Sequence, residues 1–130
     1  MDINCQILIA EKVEFDPIVK QHTIHNVLNR VSVPTFPTVL ITYVYSKFIF
    51  TKEILLEDCL CEIKVSDPSG EIVYEAVLPD LSNFRSPEMS PGIDGAVEIR
   101  FPVYISGNYE YTVYANNKKL FKYPLYIDEQ

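Results

Sequence analysis

Apolar and polar residues alternate along most of this chain with a period of two, the spacing that puts successive side chains on opposite faces of a strand. Ile3, Cys5, Ile7 and Ile9 share one face of a first segment, which runs to Phe15 and stops at Asp16-Pro17. In a second segment, His22 to Val33, His25, Val27, Val31 and Val33 alternate with Asn26, Arg30 and Ser32. Leu28 and Asn29 break that alternation, which predicts a bulge beside them. Val39 to Tyr45 is apolar on both faces, the mark of a central strand.

Cys59, Cys61, Ile63 and Val65 then alternate with Glu62, Lys64 and Ser66 up to Asp67-Pro68-Ser69-Gly70. There Pro sets φ at the second position of a turn and Gly tolerates positive φ at the fourth, so the strand that follows, with Ile72, Tyr74, Ala76 and Leu78 on one face, closes a hairpin. Pro79 to Asp94, with three prolines, three serines and Gly92, reads as a long loop. Val97, Ile99, Phe101 and Val103 point inward past Glu98 and Arg100, and Tyr109, Tyr111 and Val113 do so past Glu110, Thr112 and Tyr114. Asn116-Asn117 suits a tight turn into a last strand, Leu120 to Ile127, in which Pro124 predicts an edge position or a bulge. Phe48 to Glu57 fits either a short extra strand or a helical turn between sheets.

About eight strands with turn signals every eight to twelve residues predict an all-β sandwich. The expected core is Ile7, Ile9, Val27, Ile41, Cys61, Ile63, Val65, Ile72, Tyr74, Val97, Ile99, Phe101, Tyr111, Val113 and Leu125. The 130 residues make one domain, 1–130, and 48% hydrophobic content is too high for disorder. Tyr and Phe supply every aromatic residue, which suits strands.

Two resemblances add to this. Gly107-Asn108-Tyr109-Glu110-Tyr111, after an inward Phe101, resembles the late strands of immunoglobulin-like domains, in which a tyrosine near the start of the penultimate strand bonds back to the backbone. Tyr109 is then that tyrosine, and Tyr111 stands where antibody domains carry their second cysteine. The phrases Ala10-Glu11-Lys12-Val13-Glu14-Phe15, Thr23-Ile24-His25-Asn26-Val27 and Val33-Pro34-Thr35-Phe36-Pro37 look like a family of uncharacterised bacterial and phage proteins of about this length. Asp67-Pro68-Ser69-Gly70 and Pro124-Leu125 fit the same outline. That resemblance implies an immunoglobulin-like antiparallel β-sandwich of seven to nine strands and implies no activity.

A net charge of −7, with Lys118-Lys119 as the one basic pair, argues against nucleic acid as a partner. No run of about 18 apolar residues crosses a membrane, and Met1-Asp2-Ile3-Asn4 does not open a secretory signal. Three cysteines are too few for a disulfide framework, so a cytoplasmic location is expected.

Cys59 and Cys61 lie on one strand face about 6.7 Å apart, a span that does not favour a disulfide. They read as small core residues; as soft-metal ligands they would need other ligands to converge, and His22 and His25 point to opposite faces. Neither a nucleophile elbow nor a phosphate-cradling glycine loop is present. The candidate binding residues are the polar group His22, His25, Asn26, Asn29 and Arg30, together with Tyr43 and Tyr45, which share a face and suit an interface. The expectation is a non-catalytic protein-binding or self-associating module with no cofactor. The alternatives are a small-ligand or metal-binding sandwich, and an enzyme with its site in the 79–94 loop.

Overall fold

The computed structural model describes residues 3–51 and 59–130. These residues form nine strands and no helix: β1 (Ile3–Asp16), β2 (Gln21–Val27), β3 (Arg30–Val33), β4 (Thr38–Phe50), β5 (Cys61–Ser66), β6 (Ile72–Val77), β7 (Gly92–Val103), β8 (Gly107–Ala115) and β9 (Lys118–Glu129). One sheet has the order β2-β1-β4-β7 and the other β3-β9-β8-β5-β6. Every pairing is antiparallel except β3 with β9. The inner faces carry the core, with Ile3, Cys5, Ile7 and Ile9 from β1 set against Cys61, Ile63, Val65, Tyr111, Val113 and Leu125 from the second sheet.

The turns follow their local chemistry. Asp67 Oδ1 accepts hydrogen bonds from the backbone N–H groups of Ser69 and Glu71, and Gly70 adopts a φ of 93°, so the β5–β6 hairpin closes at Asp67-Pro68-Ser69-Gly70. Asn116 and Asn117 both take positive φ, the geometry of a tight hairpin turn between β8 and β9. Phe48 to Phe50 complete β4, a strand longer than its alternation suggests, and its far end pairs with Gly92 to Asp94. The 79–94 loop is therefore shorter than the sequence implies, because β4 offers its last three residues a ladder. Residues 52–58, the rest of the stretch read as strand or helical turn, lie outside the described residues.

Leu28 and Asn29 do not form a bulge; they carry the chain from one sheet to the other. The Leu28 N–H donates to the Ile9 carbonyl of the first sheet, and the Asn29 carbonyl accepts from Tyr126 of the second. The ladder irregularity falls two residues earlier, at Asn26, where φ is 55° and the β1–β2 pairing skips Glu11 and Asn26. Pro124 lies on a strand with neighbours on both sides, but β3 joins β9 only from Tyr126 onward, so no amide is wanted on that side at Pro124.

Three expected core residues are exposed instead. Val27 pairs with Ala10 on the outer face, Ile72 opens an edge strand beside a register shift, and Ile41 sits opposite Arg100. Val97 and Tyr74 are half-buried. Ile41 faces outward because Thr42, its neighbour, faces inward. Thr42 is fully buried, and its hydroxyl lies 2.8 Å from the hydroxyl of Tyr111, also fully buried. The Tyr111 ring packs edge-on against Phe101 and Tyr123.

β4 and β7 lie in one sheet and β5, β8 and β9 in the other, the partition of an immunoglobulin-like sandwich. The Tyr109 hydroxyl donates to the Ile105 carbonyl at 2.8 Å, which is the tyrosine corner of that fold. Tyr111 and Thr42 then occupy the strands that antibody domains join by a disulfide, and here a hydrogen bond spans the two sheets. The fold is an all-β, immunoglobulin-like sandwich.

Replacing Thr42 by Val strands the buried Tyr111 hydroxyl and is expected to cost about 1–3 kcal/mol. The Thr42→Val/Tyr111→Phe double variant loses less than the sum of the two single changes, since neither polar group is left behind. Urea unfolding of the four proteins measures the coupling, and additive losses would show that there is none.

Candidate functional site

The outer face of the first sheet carries the aromatic and charged groups that the core rejects. Tyr43, Tyr45 and Lys47 project from β4 on the side opposite Val44, which is buried. The Tyr43 hydroxyl donates to Glu98 at 3.2 Å, and Lys47 binds Asp94 at 2.8 Å. The Tyr45 ring lies 5.1 Å from the ring of His22, which in turn lies 4.8 Å from Phe15.

The contact between His22 and Tyr45 sets the shape of the β1–β2 hairpin. Tyr45 pairs across the sheet with Leu8, whereas His22 pairs with Phe15, seven residues further along β1. In a straight strand those positions would be about 23 Å apart. The hairpin must therefore bend back over the outer face, and the bend falls where the ladder skips Glu11 and Asn26. The Asn26 side chain donates to Glu11 at 2.9 Å across that break.

The tip of the hairpin is apolar. Asp16 Oδ1 accepts from the backbone N–H of Ile18 at 2.9 Å and fixes the turn, with Pro17 at its first corner and Lys20 at positive φ. Ile18 is 89% exposed, Val19 56% and Phe15 53%. The sequence signal for this tip is a β-branched pair directly after Asp16-Pro17, where a turn ordinarily carries polar residues; periodicity alone passes over it.

Of the candidate residues, only His22 and Tyr45 meet. His25 binds Glu14 at 3.2 Å, within the hairpin. Asn29 and Arg30 belong to the crossing and to the second sheet, where Arg30 pairs with Asp128 and lies over the ring of Tyr126. The polar group read as one segment from His22 to Arg30 is divided between the two sheets, because the chain changes layers at Leu28.

Asp94 anchors the loop before β7. It binds Lys47 and also Arg85, whose guanidinium reaches the Ser90 carbonyl as well. Burial works to raise the Asp94 pKa, but the hydrogen bond from Lys47 and the charges of Lys47 and Arg85 together hold it below its ordinary value. Gly92 is required at this junction, since a Cβ there would lie 2.4 Å from the Phe48 carbonyl oxygen and 2.9 Å from the Arg85 guanidinium carbon. Phe84 and Met89 of the same loop are exposed.

A cleft of about 180 Å³ lies between β7 and the chain leaving β6, lined by apolar groups including Phe48, Leu78, Leu81 and Ile93 and by none of the candidate residues. Cys61 is buried and Cys59 half-buried, both against the core. Among the described residues, no three His, Cys, Asp or Glu side chains converge as a metal would require.

No family model matches the chain, and no curated protein matches it in sequence. Among solved structures, the chain is similar to an immunoglobulin-like protein from Pseudomonas aeruginosa, with 14% identity, coverage of 98% of this chain and 97% of that one, and a TM-score of 0.47.

Because Asp94 is held below its unfolded pKa, the stability it contributes is present above the ordinary carboxylate range and is lost as pH falls through its lowered pKa. Asp94→Asn is therefore expected to destabilise the protein near neutral pH, and the gap to the wild type closes in strong acid. Denaturant midpoints across pH check this. A gap independent of pH would mean that the charge on Asp94 does not matter.

Proposed function

We propose that this domain is a non-catalytic protein-binding module that docks through the tip of the β1–β2 hairpin. The observation that carries the reading is the exposure of Phe15, Ile18 and Val19 together at the end of a hairpin held back against Tyr45 through His22. Exposed single apolar residues are common, but three on one prong are a contact surface. Covering each of the larger ones is worth about 1.5–3 kcal/mol, and the bend and the Asp16 turn fix the prong in advance, which lowers the ordering cost of binding. The chemistry favours a partner with an apolar groove.

The polar candidates support a structural role instead. His25, Asn26, Arg30 and Tyr43 each hold a neighbouring side chain of the chain itself. The sequence resemblance to bacterial and phage proteins supports a bacterial or phage setting for this module. The odd count of three cysteines supports a reducing cytoplasm.

The test is a partner captured on the wild-type domain, purified, and titrated against the wild type and Ile18→Asp/Val19→Asp. The double variant leaves the core untouched, so its melting temperature stays within a few degrees of the wild type, and its affinity is expected to fall by about a hundredfold, roughly two buried side chains. Equal affinity of the two proteins for that partner overturns the hairpin reading.

A further inference from the structure

The four sheet edges are unequal. Among the described residues, β2 is seven residues long and interrupted at Asn26, β3 has four residues, and β6 has six with a register shift in its ladder. β7 has twelve, paired with β4 in an unbroken register from Gly92 to Val103. This edge has no bulge and no charged side chain facing inward, and its one proline, Pro102, is in the next-to-last position; the run ahead of that proline is a template for another strand. The loop that precedes it is tied to Gly92 and Asp94, so among the described residues its side-chain bonds do not reach the run from Val97 to Phe101, which ends just ahead of Pro102.

The charges along this run are self-complementary. Glu98 and Arg100 both face outward and bind each other at 2.9 Å. If a second copy of β7 runs antiparallel with Ile99 opposite Ile99, then Glu98 of each copy faces Arg100 of the other, and Val97 faces Phe101. Shifting the centre by one residue sets Glu98 opposite Glu98, or Arg100 opposite Arg100, and like charges directly opposed are destabilising. Opposite charges two residues apart thus favour one twofold register over its neighbours.

We propose that two copies of this chain associate through the β7 edges, antiparallel about Ile99, to join their first sheets into one continuous sheet of eight strands. The surface is distinct from the hairpin tip and does not depend on the function assigned there. The contact is isologous and closes on itself, so it yields a dimer and no filament.

Sedimentation across a concentration series tests it with four proteins: wild type, Glu98→Arg, Arg100→Glu, and the double reversal. The wild type is expected to dimerise. Each single reversal sets like charges opposite twice, raising the dimer Kd by about tenfold or more, and the double reversal restores it. Amide exchange gives a readout free of substitution: amides of Val97–Phe101 gain protection with concentration, while those of β2 do not. A wild type that stays monomeric throughout overturns the proposal, as does a dimer indifferent to the single reversals. Loss of partner binding by the hairpin variant bears on neither result.

Discussion

The hydrogen bond between Thr42 and Tyr111 decides which way β4 faces. From Val39 to Tyr45 that strand is apolar on both sides, so hydrophobic burial within this stretch does not choose between its two parities, and a one-residue change would exchange every side chain between core and surface. The Tyr111 hydroxyl is buried and needs a partner, and Thr42 supplies it from the opposite sheet. With Thr42 inside, Val44 and Phe48 are inside as well, and Ile41, Tyr43, Tyr45 and Lys47 are outside. The bond replaces, with two oxygen atoms, the covalent link that antibody domains place between the same pair of strands.

The outer face follows from that choice. Tyr45 is available to receive His22 only because β4 has this parity, and the contact with His22 holds the β1–β2 hairpin bent back on the sheet. The same face presents Lys47 to Asp94, which secures Arg85 and the loop ahead of β7. The polar interaction at the centre of the sandwich and the apolar prong at its margin are therefore linked through one strand, β4.

Much of this architecture is legible in the sequence where local chemistry decides it. Tyr109 after Gly107, the Asp67 turn, the paired asparagines and the alternation from Val97 to Val103 each specify their own geometry. The inner face of β1 is equally plain, because its outward partners Asn4 and Gln6 are polar. The parity of β4 is not legible within Val39 to Tyr45, because the polar partner of Thr42, Tyr111, is 69 residues away in the chain; the local signal, Lys47 beside buried Phe48, lies past the stretch whose pattern reads as a strand. The division of His22 to Arg30 between two sheets is hidden for a related reason: Leu28 and Asn29 change layers through backbone bonds to Ile9 and Tyr126, and backbone bonds leave no mark on side-chain pattern. The hairpin tip is written in the sequence as Ile18-Val19, and a reading by periodicity passes over it because a turn has no period.

Burial pushes the Tyr111 phenol well above its ordinary pKa; the bond to Thr42 opposes this only in part, and Tyr123 adds to the rise. The fold therefore holds a neutral phenol whose counterpart in the unfolded chain ionises near pH 10, so stability declines as pH climbs past that value. Carbon-13 labelling of the tyrosine ring at Cζ, with the Tyr111 signal assigned by Tyr111→Phe, reads this group alone. The signal should stay at its neutral position as pH is raised and change only when the protein unfolds as a whole. A smooth titration of Tyr111 near pH 10 in the folded protein would mean that its hydroxyl meets water, and that no buried bond from β8 sets the face of β4.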